Sequence, residues 1–164
     1  MKQEFYDRLA APFEASERKK NCLLRINHIL TNVVYLIYPA LLLYLVVCRD
    51  SRFWRVLLVP AVTFVMVSLF RKKFNAPRPY EKWLVKPLIP KDTKGNSFPS
   101  RHVFSIYIIA MAVWYVWMPL GVLLCVAGVF LAAARVIGRV HFVKYVVAGA
   151  LIAVGLGILC FLVI

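Results

Sequence analysis

Acidic residues are scarce in this sequence, with seven Asp and Glu against 21 Lys and Arg in 164 residues. The positive charge alone would suit a protein that binds nucleic acid, but 62% of the residues are hydrophobic, which that role does not explain. The same hydrophobicity excludes intrinsic disorder, because such a chain can bury more apolar surface than its ordering costs. The composition therefore indicates an integral membrane protein with basic ends and loops, and it predicts no nucleic-acid partner.

Cysteine is also sparse, and its positions exclude two further classes. Cys48, Cys125 and Cys160 lie in apolar runs and Cys22 lies near a basic cluster, which does not suggest a disulfide framework. No pair has the C-x-x-C spacing of a metal site. No polar start with a small-residue cleavage site precedes the first apolar run, so we predict no removable signal peptide. We expect neither a metal nor a cofactor.

Long apolar runs dominate the rest of the chain. A hydrocarbon core about 30 Å thick needs roughly 17 to 25 apolar residues per helix. Five stretches qualify or nearly qualify: 29–48, 53–70, 103–118, 120–137 and 145–164. Pro119 predicts a tight hairpin between the third and fourth stretches, since proline cannot continue a helix. We predict an all-α integral membrane protein in which residues 29–164 form a bundle of five transmembrane helices.

Residues 1–28 are predicted to form a separate amphipathic segment. Phe5, Leu9 and Phe13 recur every four residues, and a cluster of basic residues follows them. This pattern is typical of a helix that lies on an anionic membrane surface, with Pro12 limiting its length. A solvated tail is the alternative.

Basic residues are distributed unequally between the two faces of the membrane. If the spans alternate in direction, residues 1–28, 71–102 and 135–144 share one face, which holds 18 of the 21 Lys and Arg. The positive-inside rule would place this face in the cytoplasm. Any of these charges that bind an anion weaken the rule as an indicator of topology.

Residues 71–102 form a 32-residue polar loop with nine Lys and Arg and five prolines. Loops longer than about 15 residues are usually functional or disordered. This loop ends directly at the entrance to the third predicted span. We therefore interpret it as part of a functional site.

Two histidines, His102 and His141, lie at span boundaries on this basic face. Several arginines lie at the same boundaries: Arg71, Arg78 and Arg135. The guanidinium fork binds phosphoryl oxygens in bidentate fashion. One imidazole can attack phosphorus while the other protonates the leaving oxygen. A single Arg at a span end is more often an anchor, and a single interfacial His is more often structural, which is how we interpret His28.

These residues resemble the pattern of the type-2 phosphatidic acid phosphatase superfamily of membrane lipid phosphatases. Its three motifs are Lys, six residues, Arg-Pro; Pro-Ser-Gly-His; and Ser-Arg, five residues, His, three residues, Asp. The matching segments here are Arg71 to Arg78-Pro79, then Pro99-Ser100-Arg101-His102, then Ala134-Arg135 to His141 and Tyr145. All three spacings and their order hold, and the resemblance covers roughly residues 53–164.

The resemblance implies a phosphohistidine mechanism without metal, in which His141 is the nucleophile and His102 the general acid. It also implies that phosphate is bound by Arg71, Arg78, Ser100 and Arg135, with Lys72 as an alternative to Arg71 for the family lysine. Arg101 departs from the family pattern, which has Gly there, and this added cation is expected either to join phosphate binding or to lower the pKa of His102. The main departure is Tyr145 in place of the acid that orients the nucleophile. In serine-protease triads, replacing the equivalent Asp with Asn costs on the order of 10⁴ in turnover. We therefore expect an enzyme of reduced activity.

Two functions from different classes fit these residues. The first is a lipid phosphatase acting on a lipid phosphomonoester or pyrophosphate of the phosphatidate, phosphatidylglycerophosphate or polyprenyl pyrophosphate type. The alternative is a non-catalytic relative that binds anionic lipid headgroups as a scaffold or transport protein. Both imply a multi-pass protein of the cell membrane. The charge count favours a pocket at the cytoplasmic face and the resemblance an extracytoplasmic one, and the motifs name neither the lipid nor the oligomeric state.

Overall fold

The computed structural model describes residues 3–163, which fold into seven α-helices and a π-helical end. The helices are α1 (Gln3–Glu14), α2 (Glu17–Val47), α3 (Phe53–Phe74), α4 (Pro79–Trp83), α5 (Arg101–Val116), α6 (Met118–Ile137) and α7 (Val143–Gly157), which continues as a π-helix over Ile158–Val163. No strand occurs among these residues. The predicted all-α class is confirmed.

Within residues 3–163, four helical segments are long and apolar enough to cross a membrane: Glu17–Val47, Phe53–Trp83, Met118–Ile137 and Val143–Val163. The third predicted span corresponds to α5, which has only 16 residues and rises about 24 Å. The count of five spans is therefore not confirmed. Nine residues of α5 are buried, so other helices surround it and its length need not match the bilayer.

The hairpin predicted at Pro119 is present. Trp117 alone separates α5 from α6, and Pro119 lies in the first turn of α6. Proline suits this position because the first turn of a helix leaves its N–H groups unbonded in any case.

The N-terminal region differs from the expected surface segment in two respects. Tyr6 and Ala10 of α1 are buried against the bundle. The helix that contains the first predicted span begins at Glu17, 12 residues earlier than predicted from hydropathy, because polar residues extend it as an unbroken helix. The basic cluster after α1 thus belongs to α2. The division of the chain at residue 28 and the interfacial position of α1 stay predictions.

A close approach between α5 and α7 positions the loop that precedes α5. A Cβ atom on Gly149 would lie 2.8 Å from the Ser100 carbonyl oxygen, so only glycine allows α7 to pack this closely. The Ser100 N–H donates to the Tyr145 carbonyl at 2.9 Å. The start of α5 and the start of α7 are therefore held together.

Candidate active site

The link between α6 and α7 carries His141, and two predicted site residues, Arg135 and Arg78, bind its backbone. The Arg135 carbonyl accepts the N–H groups of Val140 and His141 at 3.1 and 3.2 Å. The Val140 carbonyl in turn accepts Nη1 of Arg78 at 3.5 Å. These contacts bring the end of α6, the long loop and His141 together.

Arg71 and Arg78 are buried and bind the long loop through its backbone. Arg71 donates to the carbonyls of Asn96 and Pro99, and Arg78 Nε donates to the Gly95 carbonyl at 3.2 Å. Both arginines therefore stabilise the conformation of the loop, and they also add positive charge to the site. The adjacent Lys72 is exposed, so the helix end presents Arg71, rather than Lys72, to these residues.

His141 is almost fully buried, and its Nδ1 atom lies 3.1 Å from both the hydroxyl and the carbonyl oxygen of Ser97. A carbonyl oxygen can only accept, so this contact requires the proton to be on Nδ1. The Nε2 atom then keeps a free lone pair. Sequence reasoning missed Ser97, since it lies outside the three motifs.

The pKa of His141 lies well below its ordinary value of 6.5, chiefly because the ring is buried. Repulsion from Arg78, Arg71 and Arg135, and from His102, lowers it further. A lowered imidazole pKa keeps His141 neutral at neutral pH, which is the form able to act as a nucleophile.

Three buried donors in or near this link have no hydrogen-bond partner among the described residues: the hydroxyl of Ser100, Nε of Arg135 and Nε of Arg139, whose other nitrogens bond to α1. Leaving buried polar groups unpaired is costly unless another molecule binds them. A second donor of Arg135, Nη2, reaches the hydroxyl of Thr31 at 3.4 Å. The unpaired donors suit an anion with several acceptor oxygens.

An apolar cavity of about 370 Å³ lies beside these donors, between α2, α3 and α5. His102 and Arg101 line it, together with Thr31. The Arg101 side chain is exposed, and its guanidinium lies 5.6 Å from the centre of the Phe64 ring. The other lining residues are mostly apolar, including Val34, Leu57, Ala61, Ile106, Ile109 and Leu131.

Lys91 is a further cation that sequence reasoning missed. Burial lowers its pKa, and repulsion from Arg78, Arg135, Arg101 and Arg71 lowers it further. Lys91 thus lies within the electrostatic reach of all four arginines. It belongs to none of the motifs and is one of nine basic residues in its loop, so no sequence signal distinguished it.

Tyr145 packs in an aromatic cluster. Its ring centre lies 5.1 Å from those of both Phe98 and Phe142. The polar contacts of His141 Nδ1 go to Ser97 instead. At the position where the family pattern has an acid, this chain therefore has a tyrosine that packs against other aromatic rings and does not hydrogen-bond to Nδ1 of the His141 imidazole.

In the part of the chain that the structure describes, no three His, Cys, Asp or Glu side chains are grouped to hold a metal ion. The cluster formed by His102, His141 and the arginines is cationic and so suits an anion. The chain is thus a helical membrane protein with a basic site beside an apolar cavity.

The sequence profile of the PAP2 superfamily matches residues 52–164, and the chain belongs to this superfamily. The fold is similar to that in the crystal structure of Aquifex aeolicus LpxE, with a TM-score of 0.74 and 23% identity. That similarity covers 96% of this chain and 92% of the other. A comparison with curated proteins found no match. The resemblance seen in the motifs is thereby confirmed, and family membership supports a lipid phosphatase.

Proposed function

We propose that the protein hydrolyses a lipid phosphomonoester or pyrophosphate through a phosphohistidine intermediate on His141. The observation that carries this proposal is the hydrogen bond from His141 Nδ1 to the Ser97 carbonyl, at 3.1 Å in a buried site. It fixes the tautomer whose Nε2 atom can attack phosphorus.

In the first step, Nε2 of His141 bonds to phosphorus and the bond from phosphorus to the lipid oxygen breaks. His102 gives a proton to that oxygen, so the lipid leaves as an alcohol, or as a monophosphate from a pyrophosphate. In the second step a water attacks the phosphohistidine and passes a proton to His102. Inorganic phosphate leaves, and both imidazoles return to their starting states.

The positive charges stabilise the phosphoryl oxygens during both steps. The free donors of Ser100 and Arg135 are suited to bind these oxygens directly. Arg71, Arg78 and Arg101 add charge that cannot be lost near neutral pH. Burial and, to a lesser extent, repulsion from Arg135, Lys91, Arg101 and Arg71 lower the pKa of His102 to about 3. Bound phosphate offsets that repulsion and so favours the protonated general acid when substrate is present.

The cavity supports a lipid as the substrate. Its walls are mainly apolar and it reaches His102 and Arg101 at the basic site. A hydrocarbon chain in the cavity would place its attached phosphate beside the two histidines. A soluble phosphate ester would leave this apolar surface unused.

The function is tested by phosphate release from short-chain phosphatidate, phosphatidylglycerophosphate and polyprenyl pyrophosphate. Purified wild-type protein is expected to release phosphate from at least one of them at a rate well above that of the His102→Ala, His141→Ala double variant. Equal rates on all three lipids would reject the enzyme and favour the non-catalytic protein that binds headgroups.

The pH dependence of kcat/KM gives a second test. Protonation of His141 should cause kcat/KM to fall at low pH, because only the neutral imidazole can attack phosphorus. Since the pKa of His141 is lowered, this acid limb of the profile is expected below the ordinary histidine pKa of 6.5. Arg78→Gln removes one of the charges that repel a protonated His141, so it should move this acid limb to higher pH. The ionisation of the substrate phosphate, near pH 6, is common to both proteins and cancels in the comparison. Identical limbs for the two proteins would contradict the assignment of His141.

A further inference from the structure

Two acids of α1 form a clamp on the link that carries His141. Arg139 Nη2 lies 2.8 Å from Oδ1 of Asp7, and the same guanidinium donates to both carboxylate oxygens of Glu14. Asp7 and Glu14 are seven residues apart, so they lie two turns apart on one face of α1. Only 7% of the Arg139 side chain is exposed. Two of the seven acidic residues in the chain therefore bind a single arginine, and that arginine lies two residues before His141.

A second contact from α1 lies two residues after His141. The hydroxyl of Tyr6 accepts the Val143 N–H at 3.0 Å. Val143 is the first residue of α7, so this bond satisfies a donor that has no partner within the helix. The Tyr6 ring also contacts Phe142, with 5.8 Å between the ring centres.

The link begins with a turn that ends α6 and contains a left-handed residue other than glycine. The Arg139 backbone is left-handed, with φ of 56°. Two backbone bonds that commonly end a helix hold this conformation: the Arg139 N–H donates to the Val136 carbonyl at 3.0 Å, and the Val140 N–H donates to the Arg135 carbonyl at 3.1 Å. The bonds to the two acids hold the same residue through its side chain and so tie this turn to α1.

We propose that α1 is a brace that positions His141, with Tyr6, Asp7 and Glu14 as positioning residues that act through the link on either side of it. This inference rests on the proposed function of His141 as the nucleophile. None of the three residues binds substrate in this proposal. Their effect should fall on the attack of His141 on phosphorus, because a displacement of about 1 Å at a reacting group can cost about 100-fold in rate.

The test compares an Asp7→Asn, Glu14→Gln double variant with wild type on whichever of the three lipids named above the wild type hydrolyses fastest. We expect kcat to fall about 10- to 100-fold. KM, and the inhibition constant of inorganic phosphate, should stay within about two-fold, since the arginines that bind phosphate are unchanged. Glu4→Gln is the matched control, because Glu4 is an exposed acid of α1 outside the clamp, and it should leave kcat unchanged. Tyr6→Phe removes the second contact and should also lower kcat with little effect on KM.

Hydrogen exchange separates failure of the brace from failure of the proposed function. The double variant should exchange the amides of residues 139–143 faster than wild type, whether or not the protein hydrolyses any lipid. Unchanged exchange, or faster exchange with unchanged kcat in an active enzyme, would overturn the brace. A parallel loss of kcat, phosphate binding and thermal stability would also overturn it, since that pattern indicates general unfolding. If the wild type releases no phosphate from any of the three lipids, the proposed function fails and exchange alone decides whether α1 holds the link.

Discussion

Replacing His141 with alanine is expected to reduce phosphate release by a factor on the order of 10⁴ or more, because the variant has no atom that can form the covalent intermediate. His141 is fully enclosed, with Nδ1 bonded to Ser97 at 3.1 Å. Rapid quenching with labelled lipid phosphate should leave label on wild-type protein and none on His141→Ala.

The matched control for this loss is His28→Ala. His28 is an exposed histidine of α2, and its replacement should leave the rate within about two-fold of wild type. His141→Gln keeps a polar side chain in the buried position and guards against a loss that reflects unfolding alone. Residual activity in both His141 variants near the wild-type level would show that another group attacks phosphorus.

The spacing within each motif carries so much information because the residues of one motif lie close together at helix ends. Arg135 lies in the last turn of α6, and its carbonyl accepts the backbone N–H of His141 directly. Ser100 precedes α5 and binds the backbone of Tyr145 at the start of α7. Because the local backbone geometry is fixed, the number of residues between two motif residues sets their relative position in space. The spacing can therefore be read from a single sequence.

Ser97 and the clamp on Arg139 could not be predicted in this way. Ser97 is separated from His141 by 44 positions and Arg139 from Asp7 by 132. Nothing local in the sequence selects these pairs, because they depend on how the long loop and α1 fold back onto the link. The amphipathic pattern of α1 was visible, but its partner could equally have been lipid.

The burial of α5 within the bundle could not be predicted from the sequence, for a different reason. Hydropathy measures how apolar a segment is and does not tell a helix surrounded by protein from one facing lipid. Phe104, Ile106 and Ala110 of α5 are completely buried. A buried apolar helix therefore gives the same hydropathy signal as a helix that faces lipid, which is why the burial of α5 could not be predicted.

The second large effect is expected for Tyr145→Asp, which restores the residue of the family pattern but should lower stability without raising activity. Tyr145 is 9% exposed and its ring packs between Phe98 and Phe142. Losing a buried aromatic ring costs about 3 to 5 kcal/mol in free energy of unfolding, and a carboxylate among aromatic rings adds a desolvation cost. Thermal unfolding in detergent, measured beside kcat/KM, checks both effects.

Tyr145→Phe is the control for this substitution, since it keeps the ring and removes only the hydroxyl. Its stability should stay within about 1 kcal/mol of wild type, and its activity should be nearly unchanged because Nδ1 of His141 is bonded to Ser97. An Asp at position 145 would have to displace that carbonyl to orient the imidazole. A rise in kcat for Tyr145→Asp in a stably folded protein would therefore mean that Ser97 does not orient the nucleophile and that the missing acid limits the reaction.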